Sequence, residues 1–188
     1  MGRIVVTEYI SVDGVVEAPS GTENFERVGW TDAFSRGPEG EKFKLDETMA
    51  SDALLLGRVT YDGFAPVWPH YQGEVADKFN TMPKYVISST LVDPGVEQHN
   101  RAARRRGRRS HDAQAAARRR HRRPRQPAAG ADADRARLVD ALHLQVYPVI
   151  VGAGRRLFAE TSNTKRLRLV EARTVGDGIH ILIYERDA

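Results

Sequence analysis

The stretch SDALLLGRVTYDGF, residues 51–64, decides how the rest of this chain is read. Leu54, Leu55 and Leu56 form a short continuous apolar run, which predicts a strand buried on both faces. Gly57 ends the run, and the residues after it open a helical turn. A strand passing through glycine into a helix is the repeating unit of an α/β sheet. The amides at such a junction, with Arg58 beside them, can meet a phosphate. The plainer reading is a glycine helix start with a surface arginine, and spacing alone favours it.

Working outward, RIVVTEYISV (3–12) reads as a buried strand that runs into a loop at Asp13-Gly14. Residues 20–40 hold Gly, Pro, Ser and Thr around an isolated Trp30, a loop with little period. EKFKLDETMAS (41–51) places Leu45 and Met49 four apart, which predicts a short helix with one apolar face. APVWPHY (65–71) is a proline-interrupted loop, Val75 and Phe79 mark another short helix, and KYVISSTL (84–91) is again a strand. Later, LVDALHLQVYPVIVG (138–152) runs from a helix end into a strand, and AGRRLF (153–158) turns towards a helix. RLRLVEARTVGDGIHILIYERD (166–187) is two strands about the Gly-Asp-Gly turn, with Ile179, Ile181 and Ile183 at period two. The fold class is therefore α/β, a mixed and mostly parallel sheet flanked by helices and closed by a C-terminal antiparallel hairpin. At 188 residues it fits one domain spanning 1–188.

One interval does not fit. Residues 97–137 contain no Val, Ile, Leu, Met, Phe, Trp or Tyr, yet they lie where a helix, a central strand and a further helix belong. Twelve of the 29 basic residues fall between Arg101 and Arg125, opposed only by Asp112, so the rest of the chain holds 17 basic against 24 acidic residues. The net charge of +4 thus belongs to one segment. The segment reads as disordered, able to meet phosphates without specificity, and it has no aromatic to stack on bases. A selected nucleic-acid role is not the reading it favours. Zero cysteines exclude disulfides and thiolate metal sites and fit a reducing cytoplasm, and six scattered histidines form no metal motif. No run is long and apolar enough to span a membrane, and the N-terminus lacks the form of a signal peptide.

Four blocks together, EYISVDGVV, SDALLLGRVTYDGF, MPKYVISSTL and LVDALHLQVYPVIVGAGRRLF, resemble the dihydrofolate-reductase-like fold. The match is to the C-terminal reductase domain of the bacterial riboflavin deaminase–reductase and its stand-alone relatives. Order and spacing agree everywhere outside the Arg segment. The resemblance implies an NADPH-dependent oxidoreductase acting on a small-molecule substrate, of the 5-amino-6-(5-phosphoribosylamino)uracil reductase type. The zinc deaminase half, with its H-x-E and P-C-x-x-C signatures, is absent from the sequence. Dimers are common in the fold, so a homodimer is an expected form.

By that resemblance Gly57, Arg58 and Thr60 meet the cofactor. Gly152 and Gly154 allow close backbone approach near the nicotinamide, with Arg155 beside them. Lys84, Ser88 and Ser89 belong to the strand that approaches the adenosine 2′-phosphate. Many relatives carry arginine where this chain has Ser89, which weakens the expected preference for NADPH over NADH. The loop of Ser11, Asp13 and Gly14 lies over the substrate, although Asp13 itself reads as a turn residue. Folate reductases use a carboxylate on the helix before the Gly-Arg strand. Glu41, Asp46 and Glu47 lie in that region and equally fit a solvated helix face, so the catalytic acid is unassigned. Trp30, Trp68 and Tyr71 read as partly buried loop anchors rather than stacking platforms.

The same family carries a hydrophobic strand, a Gly-Ser-Gly turn and a helix where the Arg segment stands. Codons for GADADRAR can be chosen so that reading one nucleotide later gives Val-Gln-Thr-Leu-Ile-Glu-His, the amphipathic helix expected before Leu138. Codons for PAAG, in the remaining frame, can give Gly-Ser-Gly. Residues from about 97 to 137 therefore read as a frameshifted stretch. Taken as written, the chain becomes a reductase fold lacking one central strand, and an inactive remnant is the alternative function.

Overall fold

Strand β1 (Val5–Ser11) forms where the first Val/Ile-rich run was expected, and β5 (Ala141–Tyr147) lies parallel beside it from Val5–Ala141 to Ser11–Tyr147. These assignments come from a computed structural model that describes residues 3–21, 24–87, 99–101, 139–158 and 164–187. The C-terminal hairpin joins the same sheet: β7 (Ile179–Arg186) is antiparallel to β5, and β6 (Leu167–Val175) is antiparallel to β7. The order is β1-β5-β7-β6. A second sheet, β2-β3-β4, is parallel throughout and comprises β2 (Leu54–Gly57), β3 (Lys84–Ile87) and β4 (His99–Arg101). The mixed, mostly parallel α/β class with its closing antiparallel hairpin is what the sequence implied.

Helix α1 (Gly37–Met49) starts four residues earlier than its apolar pattern suggested, with Pro38 in its first turn. It buries Gly40, Phe43 and Thr48, whereas Met49 is exposed and Leu45 only half-buried. The expected Leu45–Met49 face is thus corrected. The covered face carries Phe43 together with the polar Lys44 and Glu47, so hydrophobic spacing pointed to the wrong side. Helices α2 (Arg58–Phe64) and α3 (Glu74–Thr81) flank the second sheet, and a 3₁₀ turn at Trp68–His70 interrupts the proline loop.

The main core packs Phe43 of α1 against Tyr147, Val175, Ile179 and Ile181, with Tyr9, Trp30 and Phe34 around it. On the other face of that sheet, Ile10, Leu142 and Leu144 gather Val6, Val146, Leu182 and Tyr184. Two further expectations change. In β2, Leu56 is buried but Leu55 is half exposed, so the strand is covered on one face only. Residues 153–158 form no helix; instead Arg156 makes a β-bridge with Val15.

The Arg segment lies outside the described residues except for β4. Those three residues pair in parallel with Lys84–Val86 and add a short strand within an interval too polar to bury one. Among the described residues, β1 is paired only with β5 and β2 only with β3. Each leaves one strand edge without a described partner. No helix among the described residues is long and apolar enough to cross a membrane.

Candidate active site

The loop after β1 and the glycine turn after β5 are joined by two carboxylates. Ser11 shapes the loop first: its hydroxyl accepts from the Val15 amide at 2.9 Å and donates to Asp13 Oδ1 at 2.7 Å. Gly14, at φ +85°, closes the tight turn with its amide on the Ser11 carbonyl. Asp13 then accepts the amides of Val151 (3.0 Å) and Gly152 (2.9 Å) from the facing turn. The Ser11 hydroxyl and these two amides hold the Asp13 carboxyl down to about 2. Asp13, expected as a simple turn residue, ties two loops together.

Glu17 repeats the device, accepting the Arg155 amide at 2.8 Å and its guanidinium at 3.1 Å. The Arg27 guanidinium donates to the Val151 carbonyl, and Trp30 Nε1 donates to the Glu17 carbonyl at 2.9 Å. A Cβ on Gly154 would lie 2.9 Å from Val15 and 3.0 Å from Phe25, so only glycine allows this approach. The structure therefore brings together Ser11, Asp13, Gly14, Gly152, Gly154 and Arg155. Glu17 and Arg27 escaped the sequence reading. The signal was present as acids at 13 and 17, four apart, opposite the basic pair 155–156.

The other candidates stand elsewhere. Gly57 is extended at the β2–α2 junction, and nothing lies within 4 Å of where its Cβ would be. Arg58 turns onto Asp62, with Nε 2.7 Å from both carboxylate oxygens, and Thr60 is exposed on α2. Lys84 opens β3, as the strand expected over 84–91 has it. Its ammonium donates to the carbonyls of Asn80 (3.3 Å) and Met82 (3.2 Å), and desolvation lowers its pKa. Ser88 and Ser89, past the other end of the strand, lie outside the described residues.

Of the three candidate acids on α1, Glu41, Asp46 and Glu47, only Glu47 is drawn inward. Glu41 pairs with Arg36 and Asp46 with Lys42 on exposed faces. Glu47 is 10% exposed and accepts from Thr7 Oγ1 (2.8 Å) and Lys44 Nζ (2.8 Å), with His143 Nδ1 at 2.7 Å. Burial opposes its charge, but the His143, Lys44 and Thr7 contacts prevail and hold its pKa below the ordinary value. The solvated-face reading thus fails for Glu47. Two strand positions along from His143, Gln145 is 1% exposed, and its amide has no hydrogen-bond partner among the described residues. Trp30 is an anchor as expected, edge-on to Tyr147, while Trp68 packs against Phe64, Phe79 and Tyr71.

Glu8 was also missed. It sits between Val6 and Ile10 on the apolar side of β1, where desolvation raises its pKa to about 7 despite the charge of Lys44. In the unfolded chain the same group ionises near 4.5. The neutral carboxyl therefore favours the fold below pH 4.5, and that advantage is lost as pH rises to about 7. Glu8→Gln is expected to remain flat over this window and to exceed the parent by about 3 kcal/mol at pH 8. Urea melts of both proteins at pH 4.5 and pH 8 check this; parallel changes in the two would contradict it.

A mixed sheet with the loop after β1 stitched to a glycine turn defines the class first: a dihydrofolate-reductase-like fold. The family model of the RibD C-terminal domain matches residues 3–106 and 131–181, and the chain belongs to that family. An uncharacterized protein, YwjB, of Bacillus subtilis (strain 168) is 26% identical over 186 residues, 95% of each chain. Among solved structures, a putative riboflavin biosynthesis protein from Shewanella sp. PV-4 superposes over 100% of both chains with TM-score 0.64 at 15% identity. A pyrimidine reductase-like protein from Corynebacterium diphtheriae gives 0.58 at 12% identity, over 99% of this chain and 92% of that one. RibD of Acinetobacter baumannii gives 0.52 at 11% identity, with 100% of this chain matching 58% of its length. The family match breaks at 107–130, inside the Arg segment.

Proposed function

We propose that the gene encodes an NADPH-dependent reductase of the riboflavin-biosynthesis type, similar to 5-amino-6-(5-phosphoribosylamino)uracil reductases, with residues from about 97 to 137 read out of frame. The observation that carries this reading is a coincidence of position. The family match stops at residue 106 and resumes at 131, and the chain on its N-terminal side holds two strands, β1 and β2, each paired on one edge only among the described residues. One parallel apolar strand between them would join the two sheets, and the out-of-frame interval is where the sequence owes such a strand.

When bound, NADPH would supply hydride chemistry from its nicotinamide C4 towards an electrophilic carbon of a small polar heterocycle or its sugar. The described residues fit one end of that cofactor better than the other. At the nicotinamide end, Asp13 and Glu17 hold the substrate loop against Gly152 and Gly154, whose bare backbone permits close approach. Glu47, ionised and fixed by His143 and Lys44, can accept a hydrogen bond from a heterocycle N–H but is no proton donor at neutral pH. For the phosphates, Gly57 leaves room and Arg58 offers a guanidinium that must first leave Asp62. The chain as written contains no Gly-Ser-Gly turn to add backbone donors.

The chain as written is therefore expected to bind NADPH at least about a hundredfold more weakly than the frame-corrected protein, a difference of about 3 kcal/mol. Fluorescence titration of both with NADPH is the test. Equal tight binding would show that the Arg segment costs nothing. Failure of both would remove the reductase reading.

A further inference from the structure

A cleft opens between β2 and the helices α2 and α3, and no residue of the loops joined by Asp13 and Glu17 lines it. About 400 Å³ of space lies among its walls, counting the open mouth. Leu54 and Leu56 reach it from alternate positions of β2, and Phe64, Trp68 and Phe79 stand around them. The three rings pack tilted or edge-on to one another, with Phe64 5.8 Å from Trp68 and 5.9 Å from Phe79, and Trp68 4.4 Å from Phe79. Each ring is only half-buried, so a further ring can join them at the same spacing.

Among the described residues one charged side chain lines this apolar cleft, that of Lys84. It is half-buried, and its ammonium donates to the Asn80 and Met82 carbonyls at 3.3 and 3.2 Å. An ammonium carries three donors, so one N–H remains. Burial lowers the Lys84 pKa, and no acid among the described residues offsets that burial. Two neutral carbonyls compensate a desolvated cation less well than an anion does. We propose that this cleft binds a small aromatic carboxylate of the benzoate class, its ring among Phe64, Trp68 and Phe79 and its carboxylate on Lys84 Nζ. A saturated chain would lack the ring contacts, and a neutral ring would leave Lys84 without its counter-charge. Leu54 and Lys84 are register partners at the starts of two parallel strands, which Gly57 and Ile87 close. The charged end of the cleft thus lies at the opposite end of these strands from Gly57, and the inference is independent of the proposed reductase activity.

Fluorine NMR of the full chain with 4-fluorobenzoate tests it, against 4-fluorobenzamide, which keeps the ring and loses the charge. The parent is expected to bind the carboxylate roughly tenfold more tightly than the amide. Lys84→Met, close in length but uncharged, is expected to abolish that preference and leave amide binding in place. Lys84→Arg is expected to keep the preference. Unspecific attraction to the Arg-rich segment would instead persist in Lys84→Met. The comparison of the two probes on the parent requires no variant to fold. No binding of either probe by the parent, equal binding of the two, or a preference that survives Lys84→Met would each overturn the proposal.

Discussion

Gly176→Ala is expected to destabilise the protein by about 4 kcal/mol, combining a strained backbone, an unavoidable overlap and lost hydrogen bonds. Gly176 sits at φ +48° in the turn between β6 and β7. A Cβ there would overlap the carbonyl oxygen of Ser35 and lie 2.5 Å from the Arg36 carbonyl carbon. Both obstacles are backbone, so no rotamer change relieves them. The turn would have to leave the start of α1, breaking the bond from the Asp177 amide to the Ser35 carbonyl (2.9 Å) and that from the Ser35 amide to Asp177 Oδ2 (2.7 Å). Gly178→Ala is the control. It shares a positive φ of 85°, but its Cβ would meet only Pro148 at 3.9 Å, so about 1 kcal/mol is expected. Thermal melts should separate the two by roughly 10 °C. Equal melting temperatures would mean that the hairpin turn is not docked on α1.

Tyr147→Ala is expected to cost about 3–5 kcal/mol, in the range of a large aromatic removed from a packed core. Tyr147 is 2% exposed, and Tyr9, Trp30 and Phe34 stand edge-on to it with ring centres at 5.6, 5.7 and 5.8 Å. Burial, then the neighbouring Tyr9, push its hydroxyl up to about 12, so the ring remains neutral across the working range. Its removal also reaches the site. Trp30 loses the ring it leans on, and Trp30 Nε1 holds the Glu17 carbonyl, beside the carboxylate that grips Arg155. Near-UV circular dichroism should report the loosened Trp30 along with the lost stability. Tyr147→Phe, which keeps the ring, should retain both. A Tyr147→Ala variant as stable as the parent would contradict the core described above.

The legible parts of this fold were those in which local pattern and tertiary role agree. Ile179, Ile181 and Ile183 alternate, and β7 buries the first two. The run of Leu54–Leu56 through Gly57 into a helix appears as β2 and α2. What could not be read was polarity used inside. Helix α1 faces the sheet with Lys44 and Glu47 because Thr7 and His143 wait there for them, and no periodicity of apolar residues signals such a pairing. The site divided along the same line. Glycines at 14, 152 and 154 marked both turns, and a resemblance to known reductases placed the loops near each other. That Asp13 and Glu17 would each cross to the opposite turn depends on a β1–β5 register that the sequence does not state. Lys84 opens the strand whose far end leads to Ser88, and its ammonium bonds back to the end of α3, a contact that the strand pattern does not signal.

Under the proposed function, a reductase sequence is interrupted by an out-of-frame interval. Sequencing the DNA that encodes residues 90–140 from an independent source of the gene tests it most directly. The account predicts compensating insertions or deletions on the two sides of the Arg segment. The corrected frame would read an apolar strand, a Gly-Ser-Gly turn and an amphipathic helix leading into Leu138. A reading frame that stands as written would contradict it, and the chain would then be a RibD C-terminal relative without the apolar strand and glycine turn that the proposal requires.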